Sequence, residues 1–147
     1  MNSFIDRLDK FLDSTMRSTF EAFSLLAVRL ICGGGLALVH GWAKLNHFST
    51  MVESFPDPLH IGSPSISLML AIFGELICGA FIALGFFTRL FSIPALFTMG
   101  VAIFSIHAHD TYEKKELALL YAVGFLVLLM KGSGALSIDG LMNKGSK

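Results

Sequence analysis

Apolar residues gather into four runs, at residues 22–42, 65–86, 90–107 and 117–130, separated by shorter polar stretches. About 20 residues of helix, at 1.5 Å rise each, cross a bilayer's hydrocarbon core of roughly 30 Å. The first three runs reach that length. The fourth is short and would tilt little or borrow length from its flanks, where Lys131 can snorkel. Ahead of them, Phe4, Ile5, Leu8, Phe11, Leu12, Met16 and Phe20 recur at helical spacing, while Asp6, Arg7, Asp9, Lys10, Asp13 and Arg17 fill the other side. That pattern predicts an amphipathic helix lying in the membrane interface. It does not read as a secretory leader: acids are mixed with the bases and no A-x-A site follows.

The connections are as informative as the runs. Residues 43–64 hold Pro56, Pro58 and Pro64 among scattered polar residues, and predict the longest loop, a lid or a plain crossing. Residues 85–89 are too few for anything but an antiparallel hairpin. Gly132-Ser133-Gly134 stops the fourth run. The expected fold is therefore all-α: an integral membrane four-helix bundle over residues 22–140. An N-terminal amphipathic interfacial segment (1–21) precedes it and a short tail (141–147) follows.

Composition supports a membrane class. Only 15% of the 147 residues are charged and 54% are hydrophobic, with mean hydropathy +0.69, against about 25% charge in a soluble domain. Net charge is zero, which makes nucleic acid an unsuitable partner. Arg7, Lys10, Arg17, Arg89, Lys131, Lys144 and Lys147 fall on the side of the termini, against Lys44, Lys114 and Lys115 on the other. By the positive-inside rule both termini are cytoplasmic, and the expected location is a bacterial inner membrane. Cys32 and Cys78 sit inside apolar runs without a CxxC spacing and read as small buried side chains.

Against this apolar background a few ionisable groups stand out. A charge at the centre of a span costs roughly 2.5–3.5 kcal/mol on insertion scales, so Glu75, near the middle of the second run, needs shelter. It lies in a row of small residues, Ala71, Gly79 and Ala83, at steps of four, which suits a packed interface. In the first run Arg29, Gly33, Ala37 and His40 share one stripe. Counted from the cytoplasmic ends, Arg29 is roughly 10 Å deep and Glu75 roughly 15 Å, so the two are expected to pair. A second cluster lies at the outer end: His40, His107, His109, Glu116 and Tyr121, expected around a cavity lined by Trp42 and Phe104. It could handle protons or bind a headgroup. A metal set drawn from His40, His107, His109 and Glu116 is chemically possible but has no sequence-local spacing behind it, and no metal is expected. No P-loop, GxGxxG, CxxC or G-x-S-x-G motif is present.

Several short motifs together resemble the DoxX family of small bacterial four-helix membrane proteins. They are His40-Gly41-Trp42-Ala43-Lys44, Gly74-Glu75, the turn Leu84-Gly85-Phe86-Phe87-Thr88-Arg89, Glu116 through Tyr121, and the closing Gly132-Ser133-Gly134-Ala135-Leu136-Ser137-Ile138-Asp139. The resemblance spans roughly residues 22–140; the acid-rich start departs from the shortest members. It implies a subunit or accessory of a membrane redox system, quinone-linked and connected with sulfur-compound oxidation or with oxidative, quinone or catechol stress. It carries over no catalytic residues, and whether the chain is itself an enzyme stays open.

The reading that follows is a bundle in contact with lipid that binds a quinone or a redox partner protein. Arg29, His40, Glu75, His107, Glu116 and Tyr121 are the candidate pocket. The rival is a non-enzymatic scaffold in which the Arg29–Glu75 pair only fixes helix register. A small transporter is a third reading, weakened by the absence of an inverted repeat. Four spans leave little room for a large cavity, which makes a homo-oligomer a candidate arrangement.

Overall fold

A computed structural model describes residues 2–145. Lys147, counted above among the basic residues, and the last two positions of the expected tail lie outside the described residues, as does Met1. All regular structure among the described residues is helical. Helices spanning Asp9–Asn46, Pro64–Leu84 and Thr88–Ile106 are each long and apolar enough to cross a membrane.

The first helical run is longer than the hydrophobic pattern suggests. α1 (Asn2–Val28) continues through two π-helical segments, Arg29–Gly34 and Leu36–Gly41, into α2 (Trp42–Asn46). The helix therefore passes residues 21–22 without a break. It also runs past 42, so that Lys44, expected in a loop, is a helical residue. The short α3 (Phe48–Met51) follows. The loop after it ends at Ser63, whose hydroxyl accepts from the Ile66 N–H, with Pro64 at the first turn of α4 (Pro64–Ile72). A π-helical segment, Phe73–Ile77, joins α4 to α5 (Cys78–Leu84). The third run is α6 (Thr88–Val101) with a π-helical end, Ala102–Ile106. α7 (Tyr112–Lys131) packs along α6, and α8 (Ile138–Gly145) closes the chain.

The first two runs cross antiparallel with their main chains in contact. A methyl built on Gly33 would lie 2.7 Å from the Gly79 carbonyl oxygen and 2.8 Å from the Ala83 nitrogen. One built on Gly41 would lie 2.5 Å from the Leu76 nitrogen. The small-residue rows expected on these helices are thus the surfaces that meet. Around them the core is Leu25, Leu36, Cys78, Ile82, Ala95, Met99, Phe125 and Leu128. Both cysteines are free.

The hairpin between the second and third runs turns at Gly85 (φ +72°), a left-handed helix cap that suits glycine. Asp139, at the start of α8, holds this turn. Its Oδ1 accepts from the Phe87 N–H at 2.8 Å and its Oδ2 from the Thr88 N–H at 3.3 Å, while its own N–H donates to the Gly85 carbonyl at 2.9 Å. A carboxylate is well placed at these free N–H groups at the start of α6.

The crossing makes a contrast that can be measured. Gly33→Val drives side-chain atoms into the Gly79 main chain and should cost about 1–3 kcal/mol or more, read as a large fall in melting temperature and in monodisperse yield in detergent. Gly34→Ala, with nothing within 4 Å of the added methyl, should leave the melting temperature unchanged or raise it.

Candidate functional site

At the end of the bundle away from the chain termini, the helices diverge around a cavity of about 560 Å³. The expectation that four runs leave little room for one is corrected here. Its polar lining includes an ion pair, Lys44 Nζ to Glu75 Oε2 at 2.6 Å. Glu75 is buried, with 8% of its surface exposed, and it borders the cavity beside Lys44.

This replaces the expected Arg29–Glu75 pair. The contacts of Gly33 with Gly79 and of Gly41 with Leu76 fix the register, and that register sets Lys44 opposite Glu75. Arg29, fifteen residues before Lys44 in the sequence, is about 22 Å away along the helix. It lies instead against Gly85 and donates from Nη2 to the Leu136 carbonyl. Asp139 is close enough to interact with it electrostatically. Arg29 is 1% exposed; it ties the first helix to the turn and to the closing segment, at the opposite end from the cavity.

Of the six candidate pocket residues, His40, Glu75, His107 and Tyr121 border the cavity, and Arg29 and Glu116 do not. His40 meets Tyr121 edge-to-face, with ring centroids 5.8 Å apart, and Tyr121 stacks on Phe125 at 6.2 Å. His107 Nδ1 is 2.8 Å from Asp110 Oδ2, whose other oxygen takes Lys114 Nζ at 3.2 Å. His109 and Glu116 are exposed and do not border the cavity. Trp42 and Phe104, expected as lining, are exposed on the outer surface instead. Among the described residues no three of His, Cys, Asp and Glu are gathered to hold a metal ion.

The loop of residues 52–63 walls one side of the cavity through Phe55, Pro56, Pro58 and Leu59. Asp57 organises it. Its carboxylate accepts from the Ser67 hydroxyl at 2.6 Å and from the N–H groups of Gly62 (2.7 Å) and Ile61 (3.2 Å). These bonds, the Ser67 hydroxyl first, hold the Asp57 carboxyl below its ordinary range. Asp110 is lowered likewise, first by His107 and then by Lys114.

Sequence reasoning missed Lys44, Asp57 and Asp110 as parts of this site. Lys44 was detectable: it stands four residues after His40 in the His-Gly-x-x-Lys stretch and so on the same helical face. Asp57, between two prolines and five residues before Gly62, has the composition of a turn that an aspartate side chain closes.

These features define a class: a small helical membrane protein with a mainly apolar cavity, at the end away from the chain termini, bordered by a largely buried ion pair. The DoxX family profile matches residues 24–108. A Haemophilus influenzae protein described as uncharacterised is 32% identical over 138 residues, covering 90% of this chain and 91% of its own. The inner membrane protein YqjF of Escherichia coli is 31% identical over 116 residues, covering 74% of this chain and 85% of its own. The chain belongs to the DoxX family. No solved structure matches it.

Two outcomes test this geometry. Lys44→Met strands a buried carboxylate and should destabilise by about 3–5 kcal/mol, whereas Lys44→Met with Glu75→Leu should recover most of that loss; thermal unfolding of both variants in detergent decides it. For Asp57, the folded carboxyl titrates below its unfolded value, so its hold on the loop is complete at neutral pH and lost only as pH falls through that lowered value. Hydrogen exchange of residues 52–63, corrected for its intrinsic pH dependence, should stay protected from pH 8 to pH 5 and open in stronger acid. Ser67→Ala should move the opening to higher pH.

Proposed function

We propose that this protein binds a quinone-type molecule taken from the bilayer and serves a membrane redox system as a subunit or accessory. The carrying observation is the Lys44–Glu75 pair in a mainly apolar cavity whose other polar lining includes His40, His107, Lys114 and Tyr121. A quinone headgroup needs an apolar slot with one or two fixed polar groups for its carbonyls, and a lysine ammonium is a carbonyl donor. The volume falls within the roughly 300–1,000 Å³ of small-molecule sites.

The walls support a lipid-soluble ligand. Leu70, Phe73 and Phe97 border the cavity and are also 44–61% exposed on the membrane-spanning helices. Side chains that are at once cavity lining and outer surface of the spans would give a ligand dissolved in the bilayer a sideways route to the cavity. On this reading α7 is a fourth span and the chain is a four-helix bundle in a bacterial inner membrane. Both termini are cytoplasmic, by seven basic residues against three, and the amphipathic start of α1, continuous with the first span, extends from it on the cytoplasmic side. A second reading, a scaffold for a partner protein, is favoured by the exposed apolar side chains Phe11, Met16, Phe20 and Phe23 along α1.

The test is purification in mild detergent with chemical extraction of bound lipids. Ubiquinone or menaquinone should copurify, added quinone should raise the melting temperature, and Lys44→Met should abolish both effects. The proposal fails if no quinone copurifies or shifts the melting temperature while Glu75→Gln leaves cellular redox phenotypes intact.

A further inference from the structure

At the mouth of the cavity, His107 follows directly on the third helix and borders the cavity from there. One ring nitrogen, Nδ1, is held by Asp110 Oδ2 at 2.8 Å. Asp110 is itself fixed by Lys114 at 3.2 Å and by its backbone N–H on the His107 carbonyl at 3.0 Å. An ionised carboxylate can only accept, so neutral His107 carries its proton on Nδ1 and leaves Nε2 as a lone-pair acceptor. His107 and Asp110 are each about a third exposed, 34% and 33% by side chain, so a proton taken there can pass to water. The Lys44–Glu75 pair, deeper in, has its charges matched to each other.

We infer that His107, oriented by Asp110, is the proton acceptor for a hydroxyl of the cavity's ligand, so that the site takes the hydroquinone or a phenol as well as the quinone. This rests on the quinone-type reading above. In the step the ligand O–H bond breaks, the pair stays on oxygen as phenolate, and the proton forms an N–H bond at His107 Nε2. No electron leaves the ligand. Asp110 stabilises the imidazolium, and the proton then leaves to water on the side opposite the chain termini. The other titratable groups bordering the cavity are Lys44 and His40 from the first helix, Glu75 from the second, and Lys114 and Tyr121 from α7. Lys44 is the competing explanation, since an ammonium also favours a phenolate.

The probe is 4-nitrophenol, whose phenolate absorbs visible light, titrated with pH in the presence of purified protein. Bound probe should ionise at lower pH than free probe. His107→Gln should cut the phenolate-to-phenol ratio of the bound probe by about tenfold, the equivalent of one pKa unit. Asp110→Asn should lose part of the effect and Asp110→Glu restore it. Where His107→Gln yields no folded protein, the Asp110 pair of variants carries the test. The inference is overturned if His107→Gln or Asp110→Asn ionises the probe like wild type, if only Lys44→Met removes the effect, or if the probe does not bind a protein that takes up quinone. Quinone binding by melting shift in the same samples separates the two claims. Wild type that binds no quinone removes the functional reading; wild type that binds quinone while its bound nitrophenol ionises like free probe removes only the role of His107.

Discussion

Between the first two membrane helices the main chains touch, and that contact sets the positions of the functional groups. Lipid tails are as apolar as leucine, so burying more leucine gives two helices no reason to meet; close packing does. Gly33 against Gly79, and Gly41 against Leu76, allow backbone on backbone. Once these contacts are made the relative slide of the two helices is fixed, and so is every cross-helix partner. Lys44 falls on Glu75 and Arg29 on the Gly85 turn. Neither ionic partnership is free to choose another.

The helices then depart from ideal geometry at the positions that matter. π-helical segments occupy Arg29–Gly34, Leu36–Gly41, Phe73–Ile77 and Ala102–Ile106. They carry Arg29, His40 and Glu75, and the last ends against His107. Wide turns of this kind recur at functional sites. Each takes extra residues into a turn, so it rotates the side chains that follow relative to a regular helix. Here that rotation accompanies a bundle that is closely packed at the Gly33–Gly79 crossing and holds a cavity toward the end away from the chain termini.

Much of this was legible in the residues. The long apolar runs, the hairpin at residues 85–89, the small-residue rows and the need to shelter Glu75 all follow from hydropathy and four-residue spacing. The partner of Glu75 was not legible, for a physical reason. Depth was counted from assumed cytoplasmic helix ends, and the first helix has no end at residue 22; Lys44, expected in a loop, sits on a helix that runs on to Asn46. A helix has no need to break where its polarity changes, so the join at residues 21–22 left no break either. Crossing register comes from which glycines touch, and spacing within one helix cannot number the contacts of another. His40, His107 and Tyr121 were found together because each lies toward the end of its apolar run that is away from the chain termini, a coarse property that errors of register leave intact. Glu116 shares that end but faces outward, a matter of helix rotation that the fourth run, apolar on most sides, does not encode.

The two ends of the molecule divide the motifs that carry the family resemblance. The Gly-x-x-Thr-Arg turn and the closing Gly-Ser-Gly segment meet at one end, with Arg29 and Asp139 joining the first helix, the hairpin and α8. There Arg29 is almost fully buried and the carboxylate of Asp139 is used up on backbone N–H groups. The His-Gly-x-x-Lys stretch and the Gly-Glu pair meet at the other end, where Lys44 and Glu75 stand beside open volume. At the closed end only Nη2 of Arg29 finds a main-chain acceptor, while its Nε and Nη1 are buried without one. Keeping a lysine and a glutamate in an apolar cavity carries a desolvation cost that well-packed hydrophobic residues would avoid. The quinone site proposed above would put that cost to use, since a ligand carbonyl entering the cavity would meet the Lys44 ammonium.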